Sequence, residues 1–449
     1  MNPAIAPIRN ERPLKDERVT LLPPNLGRGT EELGMNRRDA RVALTILTFI
    51  NFLNYIDRYV LASVFEPIKR ELHFTDAELG WAFSAFMITY SVTSPLFGRL
   101  GDLFTRKYLI AAGVALWSFA TAGAGLARSF WQMFVPRSFV GIGEASYATV
   151  APGIITDFYG REHRGRALAV FYAAIPVGTA LGFVLGGQLS AHFGWRTAFF
   201  VVGLPGVLIS ILALTIREPR RGASEEAAPA QHVAPPTLIA TYRILWRNRT
   251  YVTVTLGFIA YTFALGGLVA WVPAFLERYD GMSTVRANQI FGTMTVVSGF
   301  VGTFVGGFLG DYFLRYTRNS YLWLSGACMF VGAPITVLAL SSRHPWIFLP
   351  AIFLAEFFLF LNTGPLNAVV LGCVGPEIRA TAMAVNIFFI HALGDAISPP
   401  IIGEVSERFG LYPATMIAPA MMLASGAILL YAIRLQRRAN GDSSVTSDE

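Results

Sequence analysis

Residues 43–65 read ALTILTFINFLNYIDRYVLASVF, an apolar run that carries an acid and a base side by side, Asp57 and Arg58. About twenty such residues let a helix cross the hydrocarbon core of a bilayer. A charge at that depth costs at least ~2.5 kcal/mol, so charged side chains there face a partner or a water-filled cavity. The stretch therefore predicts a spanning helix with a hydrated inner face. The pair marks an ion, proton or substrate pathway.

Composition extends that reading to the whole chain. Hydrophobic residues make up 53% of the 449 and charged residues only 14%, where soluble domains carry roughly 25%. Mean hydropathy is +0.49. The length allows about a dozen crossings. A net charge of +7 could suggest nucleic acid, but the basic residues sit in short stretches between apolar runs, as membrane topology requires. Neither Cys328 nor Cys373 belongs to a CxxC pair, so no disulfide, metal site or cofactor is expected. No cleavable leader is evident, because the first apolar segment is long enough to remain in the membrane.

Apolar windows predict helices near 42–65, 79–101, 108–127, 130–156, 167–190 and 197–216, then near 251–276, 289–310, 320–341, 346–374, 380–402 and 413–434. The chain thus divides into a tail (1–41), a six-helix half (42–216), a linker (217–250), a second six-helix half (251–434) and a closing tail (435–449). Within the linker, residues 237–249 read as an amphipathic helix on the membrane surface. With the N-terminus inside, 26 Lys and Arg fall in cytoplasmic segments and 8 in outer loops. That bias places both termini in the cytoplasm. The expected location is the plasma membrane, a bacterial inner membrane on this chain length, and the expected state is a monomer.

An internal repeat supports two halves. Gly98-Arg-Leu-Gly-Asp102 with Arg106 recurs as Gly307-Phe-Leu-Gly-Asp311 with Arg315, offset by 209 residues. A second echo pairs Arg164-Gly-Arg-Ala-Leu-Ala-Val170 with Arg379-Ala-Thr-Ala-Met-Ala-Val385. Parallel duplication with a site between the halves is the plan of one large class of carriers.

These segments resemble the major facilitator superfamily. GRLGDLFTRK (98–107) is similar to its G-x-L-x-D-x-x-x-R-[KR] loop, and Arg137 to Ala145 to its R-x-x-x-G-x-G-E-A pattern. GWRTAFF (194–200) resembles the usual entry to the sixth crossing. More narrowly, NYIDRY (54–59) and VGIGEASYATVAPGIITDFY (140–159) resemble the spinster branch. That resemblance implies an all-helical membrane protein of twelve crossings in two pseudo-symmetric halves. It also implies proton-driven transport of lysolipids or sphingosine phosphates. NYxDR is shared with organic anion:cation symporters, which keeps a small organic anion open as substrate. Gly178, Gly182 and Gly186 lie at four-residue spacing without the Gly-Pro of the antiporter motif, so the mode of coupling stays open.

Helical rise puts Asp57 roughly 22 Å and Arg137 roughly 20 Å above the cytoplasmic face of a 30 Å core. Glu144 follows Arg137 by two turns on nearly the same face. These residues predict a cluster between the first and fourth crossings, with Asp57 and Glu144 carrying the proton and Arg137 supporting them. Arg58 is the expected anion anchor, because guanidinium grips phosphate or carboxylate with two bonds. Asn51, Asn54 and Tyr55 extend the polar stripe. Glu356 and Trp271 are further candidates for substrate contact, with Pro273, Phe357 and Phe360 beside Trp271 along an apolar cavity. His391 and Asp395, one turn apart, read as a second protonatable pair. The duplicated Gly98, Asp102, Arg106 and Gly307, Asp311, Arg315 are expected to latch the cytoplasmic ends in the outward-facing state. No P-loop, HExxH or GxSxG is present, which argues against an enzyme and against ATP as the energy source.

Overall fold

The structure, a computed structural model, describes residues 37–219, 237–375 and 378–445. The expectations for the first tail before residue 37, for half of the linker (220–236) and for the last four residues fall outside those residues.

Helices follow one another almost without pause. The first half comprises α1 (Arg37–Val60), α2 (Phe65–Leu72), α3 (Asp76–Leu103), α4 (Arg106–Ala124), α5 (Phe130–Ala148), α6 (Ala151–Phe158), α7 (Arg161–Phe193) and α8 (Trp195–Ala213). After α9 (Leu238–Arg247) the second half runs through α10 (Arg249–Tyr279), α11 (Thr284–Phe313), α12 (Ser320–Ser341), α13 (Pro345–Phe360) and α14 (Thr363–Gly372). It closes with α15 (Arg379–Ile390), a wider π turn at His391–Asp395, α16 (Ser398–Phe409), α17 (Leu411–Thr415) and α18 (Ile417–Val445). Twelve crossings result. The fourth is shared by α5 and α6, the tenth by α13 and α14, the eleventh by α15, the π turn and α16, and the twelfth by α17 and α18.

Among the described residues, eight helices are long and apolar enough to cross a membrane on length and composition alone. The first four crossings are not among them, and each carries charge: Asp57 and Arg58, then Asp102, then Arg106, then Arg137 and Glu144. Charge is concentrated where the chemistry was expected.

Local sequence sets the boundaries. Thr75 opens α3 with a capping box: its hydroxyl accepts from the Glu78 amide at 3.1 Å, and Glu78 Oε2 accepts from the Thr75 amide at 2.9 Å. Gly194 and Gly410, with φ of 84° and 88°, separate the fifth crossing from the sixth and the eleventh from the twelfth. Only glycine adopts that φ cheaply, so the same break recurs in both halves.

The halves meet firmly at the end of the bundle that carries α2. Arg278 on α10 binds Asp76 through both terminal nitrogens, at 2.6 and 2.7 Å, and its Nε reaches Glu66 at 2.6 Å. Lys69 and the Ser406 hydroxyl complete the shell of Asp76, each at 2.5 Å. Below this clasp, the Trp271 ring lies 5.2 Å from that of Phe65, and its Nε1 donates to the Pro399 carbonyl at 3.0 Å. Asn288 donates across the same seam to the Ser63 carbonyl at 2.9 Å.

At the other end, Arg106, Asp311 and Arg315 of the duplicated motif make local contacts. Arg106 pairs with Asp157 and with Glu218, both at 2.7 Å. Asp311 accepts from the Tyr321 hydroxyl at 2.6 Å, and the Arg315 guanidinium lies over the Tyr312 ring. No atom lies within 4 Å of where a side chain would begin on Gly98 or Gly307.

Candidate functional site

The site is built on α1, which is held by α7. A side chain at Gly178 or Gly182 would meet the Phe52 or Ile56 carbonyl oxygen at 2.7 Å, so glycine at four-residue spacing lets the two backbones touch. Asn51 adds a donated bond to the Phe171 carbonyl at 2.9 Å. Its amide thus serves helix packing. Seating α1 this way turns Asp57 and Arg58 toward α3, α4 and α5.

Two ion pairs follow. Arg137 Nη1 lies 3.4 Å from Asp57 Oδ1, and Asp57 Oδ2 accepts from the Thr121 hydroxyl on α4 at 2.5 Å. Arg58 Nε lies 2.8 Å from Glu144 Oε2. Arg137 also donates to the Arg58 carbonyl at 3.4 Å, which links the pairs. The expected cluster is therefore present, with its charges cancelling two against two. Buried charges demand such pairing, since removing one partner strands the other. Asp57 is 2% exposed, and Arg137 and Glu144 are fully buried, whereas Arg58 keeps 8%. Arg58, although buried, is the most exposed of the four.

Aromatic rings frame that guanidinium. Tyr55, Phe86 and Tyr90 lie 4.7, 4.8 and 5.1 Å from it, the geometry of a cation held over ring faces. Tyr90 also meets His391 edge-on at 6.2 Å, and His391 Nδ1 lies 2.9 Å from Asp395. A line of contacts thus runs from Glu144 through Arg58 and Tyr90 to His391 and Asp395, from one half into the other. The π turn presents this last pair, and such turns cluster at functional sites. Within the first half, Glu144 Oε1, the Asn54 amide nitrogen and Arg137 Nε are buried without hydrogen-bond partners.

Other expected residues lie apart from this cluster. Glu356 accepts from Thr295 and Ser298, both at 2.8 Å, and borders a small apolar cavity of about 30 Å³ in the second half. Leu265, Leu268, Phe291, Ile352 and Phe360 line the same cavity. Phe360 is where it was expected, but Trp271, Pro273 and Phe357 do not border it. Trp271 is instead fully buried in the seam at the clasp, because its large ring and single donor fill the gap between Phe65 and Pro399.

The sequence reading missed Thr121, Phe86 and Tyr90, and it missed the clasp. A Thr or Tyr inside an apolar helix gives no signal without the fold. Asp76 and Arg278 look like ordinary helix-end charges that suit the helix dipole. Asp76 lies ahead of the expected span 79–101, outside the membrane core. Burial pushes its carboxyl up, but the bonds and charge of Arg278, with Lys69 and Ser406, outweigh that and hold it down at about 2.

Residues 47–399 match the family model of the Major Facilitator Superfamily. Mouse protein spinster homolog 1 is 35% identical over 396 residues, covering 84% of this chain and 74% of that one. The chain belongs to the spinster family of this superfamily. The spinster-family match extends to plants: a probable sphingolipid transporter, spinster homolog 2, from Arabidopsis thaliana is 32% identical over 373 residues, 81% of this chain and 76% of its own. Among solved structures, a bacterial homolog to the human lysosomal transporter Spinster, in an inward-facing and unoccupied conformation, superposes with a TM-score of 0.76 at 25% identity. That alignment covers 88% of this chain and 96% of the other. This spinster-family protein is accordingly a multi-pass membrane transporter, and membership rather than a missing motif is what sets it apart from enzymes.

Proposed function

We propose that this transporter is a proton-coupled carrier of an amphipathic anion of the lysophospholipid or sphingosine-phosphate type. The observation that carries the reading is the Arg58–Glu144 pair: the most exposed member of the cluster, a cation in a frame of aromatic rings, neutralised by an acid sealed behind it. An anionic headgroup that takes Arg58 removes the counter-charge of Glu144. A proton on Glu144 has the same effect from the other side, freeing Arg58 for the headgroup. Proton and anion binding therefore favour each other, and linkage makes that preference reciprocal. Asp57, held by Arg137 and Thr121, is the second carboxylate through which the same exchange runs. The apolar lining beside Glu356 favours the lipid reading, because an acyl chain needs dry walls and a sugar acid does not; the space there, about 30 Å³, must widen to admit one.

With the termini in the cytoplasm, the clasped end would face out, the arrangement expected of an inward-facing state. Arg106 bonds Asp157 of its own half and Glu218 of the linker, and Asp311 bonds Tyr321 of its own half, contacts that suit an outward-state latch once released. The test is uptake into proteoliposomes of lysophosphatidylcholine, lysophosphatidylglycerol, sphingosine phosphate and small sugar acids at two external pH values. Saturable, pH-dependent uptake of the lipids alone is expected. Uptake of the sugar acids alone would return the protein to the organic-anion class.

A further inference from the structure

The linker helix α9 is not absorbed by the transport reading. Its sequence, LIATYRILWR, ends against Asn248, whose Oδ1 accepts from the Tyr251 amide at 3.0 Å to cap α10. The same side chain donates through Nδ2 to the Cys373 carbonyl, just past α14, at 2.7 Å. One residue thus pins α9 to the mouths of two crossings. Its height in the bilayer is set by them.

Helical spacing then sorts its faces. Thr241 and Leu245, one turn apart, are buried against the protein. Ile239, Tyr242 and Trp246 fall on another face and are 76%, 45% and 60% exposed. Arg243 and Arg247 lie on the adjoining edge, with Arg249 at the start of α10, and all three are exposed. Among the described residues none of the three has an acidic partner. Trp246 packs edge-on against Phe389 at 5.7 Å. Beside it, Ile387 and Phe388 on α15 are also exposed. The apolar stripe of α9 therefore continues onto the outside of a spanning helix, a surface that lipid covers. A stripe with Trp and Tyr and a basic flank is the composition of a helix lying in the membrane interface.

We infer that α9 lies in the leaflet next to the linker, and that Arg243, Arg247 and Arg249 bind the headgroups of anionic phospholipids there. Apolar contact alone would fit any lipid. Three guanidinium groups without an acidic partner among the described residues select anionic headgroups, because guanidinium meets phosphate with paired hydrogen bonds and charge. The inference is independent of what the central cavity carries.

The full chain in nanodiscs of phosphatidylcholine with roughly one-third phosphatidylglycerol tests it. A spin label on Ile239→Cys, with Cys328 and Cys373 replaced by Ala, should collide with oxygen more than with a water-soluble nickel complex. Native mass spectrometry should show phosphatidylglycerol retained through detergent exchange, with retention falling about tenfold in R243Q/R247Q/R249Q. The Arg→Lys triple variant should keep most of it, which separates lost charge from lost folding. A label open to the nickel complex, or shielded from both probes by protein, overturns the interfacial placement. Retention unchanged in the Gln variant overturns the headgroup site.

Discussion

Arg58→Lys is expected to abolish high-affinity substrate binding, although the charge is kept. A guanidinium bonds an anionic headgroup through a planar fork and stacks between rings, and an ammonium does neither. Tyr55, Phe86 and Tyr90 are spaced around a flat cation, and Nε is already committed to Glu144. Losing the hydrogen bonds of a buried charged group in a binding site costs about 2–5 kcal/mol, so affinity should fall roughly 30-fold or more. Arg58→Gln should be at least as severe, because it also strands Glu144. The double variant Arg58→Gln with Glu144→Gln separates the two causes. If stranding were the whole effect, the double variant would regain binding; loss of the anchor leaves it dead. Equilibrium binding of a fluorescent lysolipid to purified protein reads all three. Wild-type affinity in Arg58→Lys would remove Arg58 from the substrate site.

The second large effect lies at the clasp. Arg278→Met takes the bidentate partner from Asp76 and the third bond from Glu66 at one stroke. Breaking a buried pair by removing one member costs about 3 kcal/mol or more. Lys69 and Ser406 still hold Asp76, which reduces the expected shift to about 2 kcal/mol, roughly 30-fold in the balance between clasped and open forms. Spin-label distances across the α2 end, between α3 and α16, should show a population of longer separations that the wild type lacks. The pH dependence of this clasp has a defined sign. The folded pKa of Asp76 is lowered to about 2 from the ordinary 3.8. Its contribution is therefore complete above about pH 4 and is lost only as pH falls toward 2. Distances that respond to pH between about 5 and 8 cannot draw on Asp76 and must report carboxylates elsewhere. A clasp that opens in that window in Arg278→Met as steeply as in wild type has its sensor outside Asp76, either in Glu277 beside the clasp, whose burial lifts its carboxyl to about 7, or in the central cluster.

The fold was legible because a bilayer leaves few solutions to an apolar chain, and because the two halves repeat. Gly98 to Arg106 and Gly307 to Arg315 announce the duplication, and charges inside apolar runs announce the site. Asp57, Arg58 and Arg137 could be placed at one depth from helical rise alone, with Glu144 two turns further along the same face. What stayed hidden depends on which helix faces which. Thr121 matters only because α4 turns it onto Asp57, and Tyr90 only because α3 stands between Arg58 and His391. The clasp joins residues 202 positions apart, a pairing that no local pattern encodes. Trp271 was expected in a cavity because large aromatics line binding sites; here its ring is consumed in sealing the seam.

The claim on which the account rests is that protonation of the carboxylates in this cluster governs release of Arg58. Purified Glu144→Gln and Asp57→Asn in proteoliposomes test it, with substrate counterflow at fixed pH compared against accumulation driven by a proton gradient. The account predicts that Glu144→Gln keeps counterflow, loses gradient-driven accumulation and shows a flat pH profile, with Asp57→Asn impaired in the same sense. Accumulation with an unaltered pH profile in both variants would contradict it.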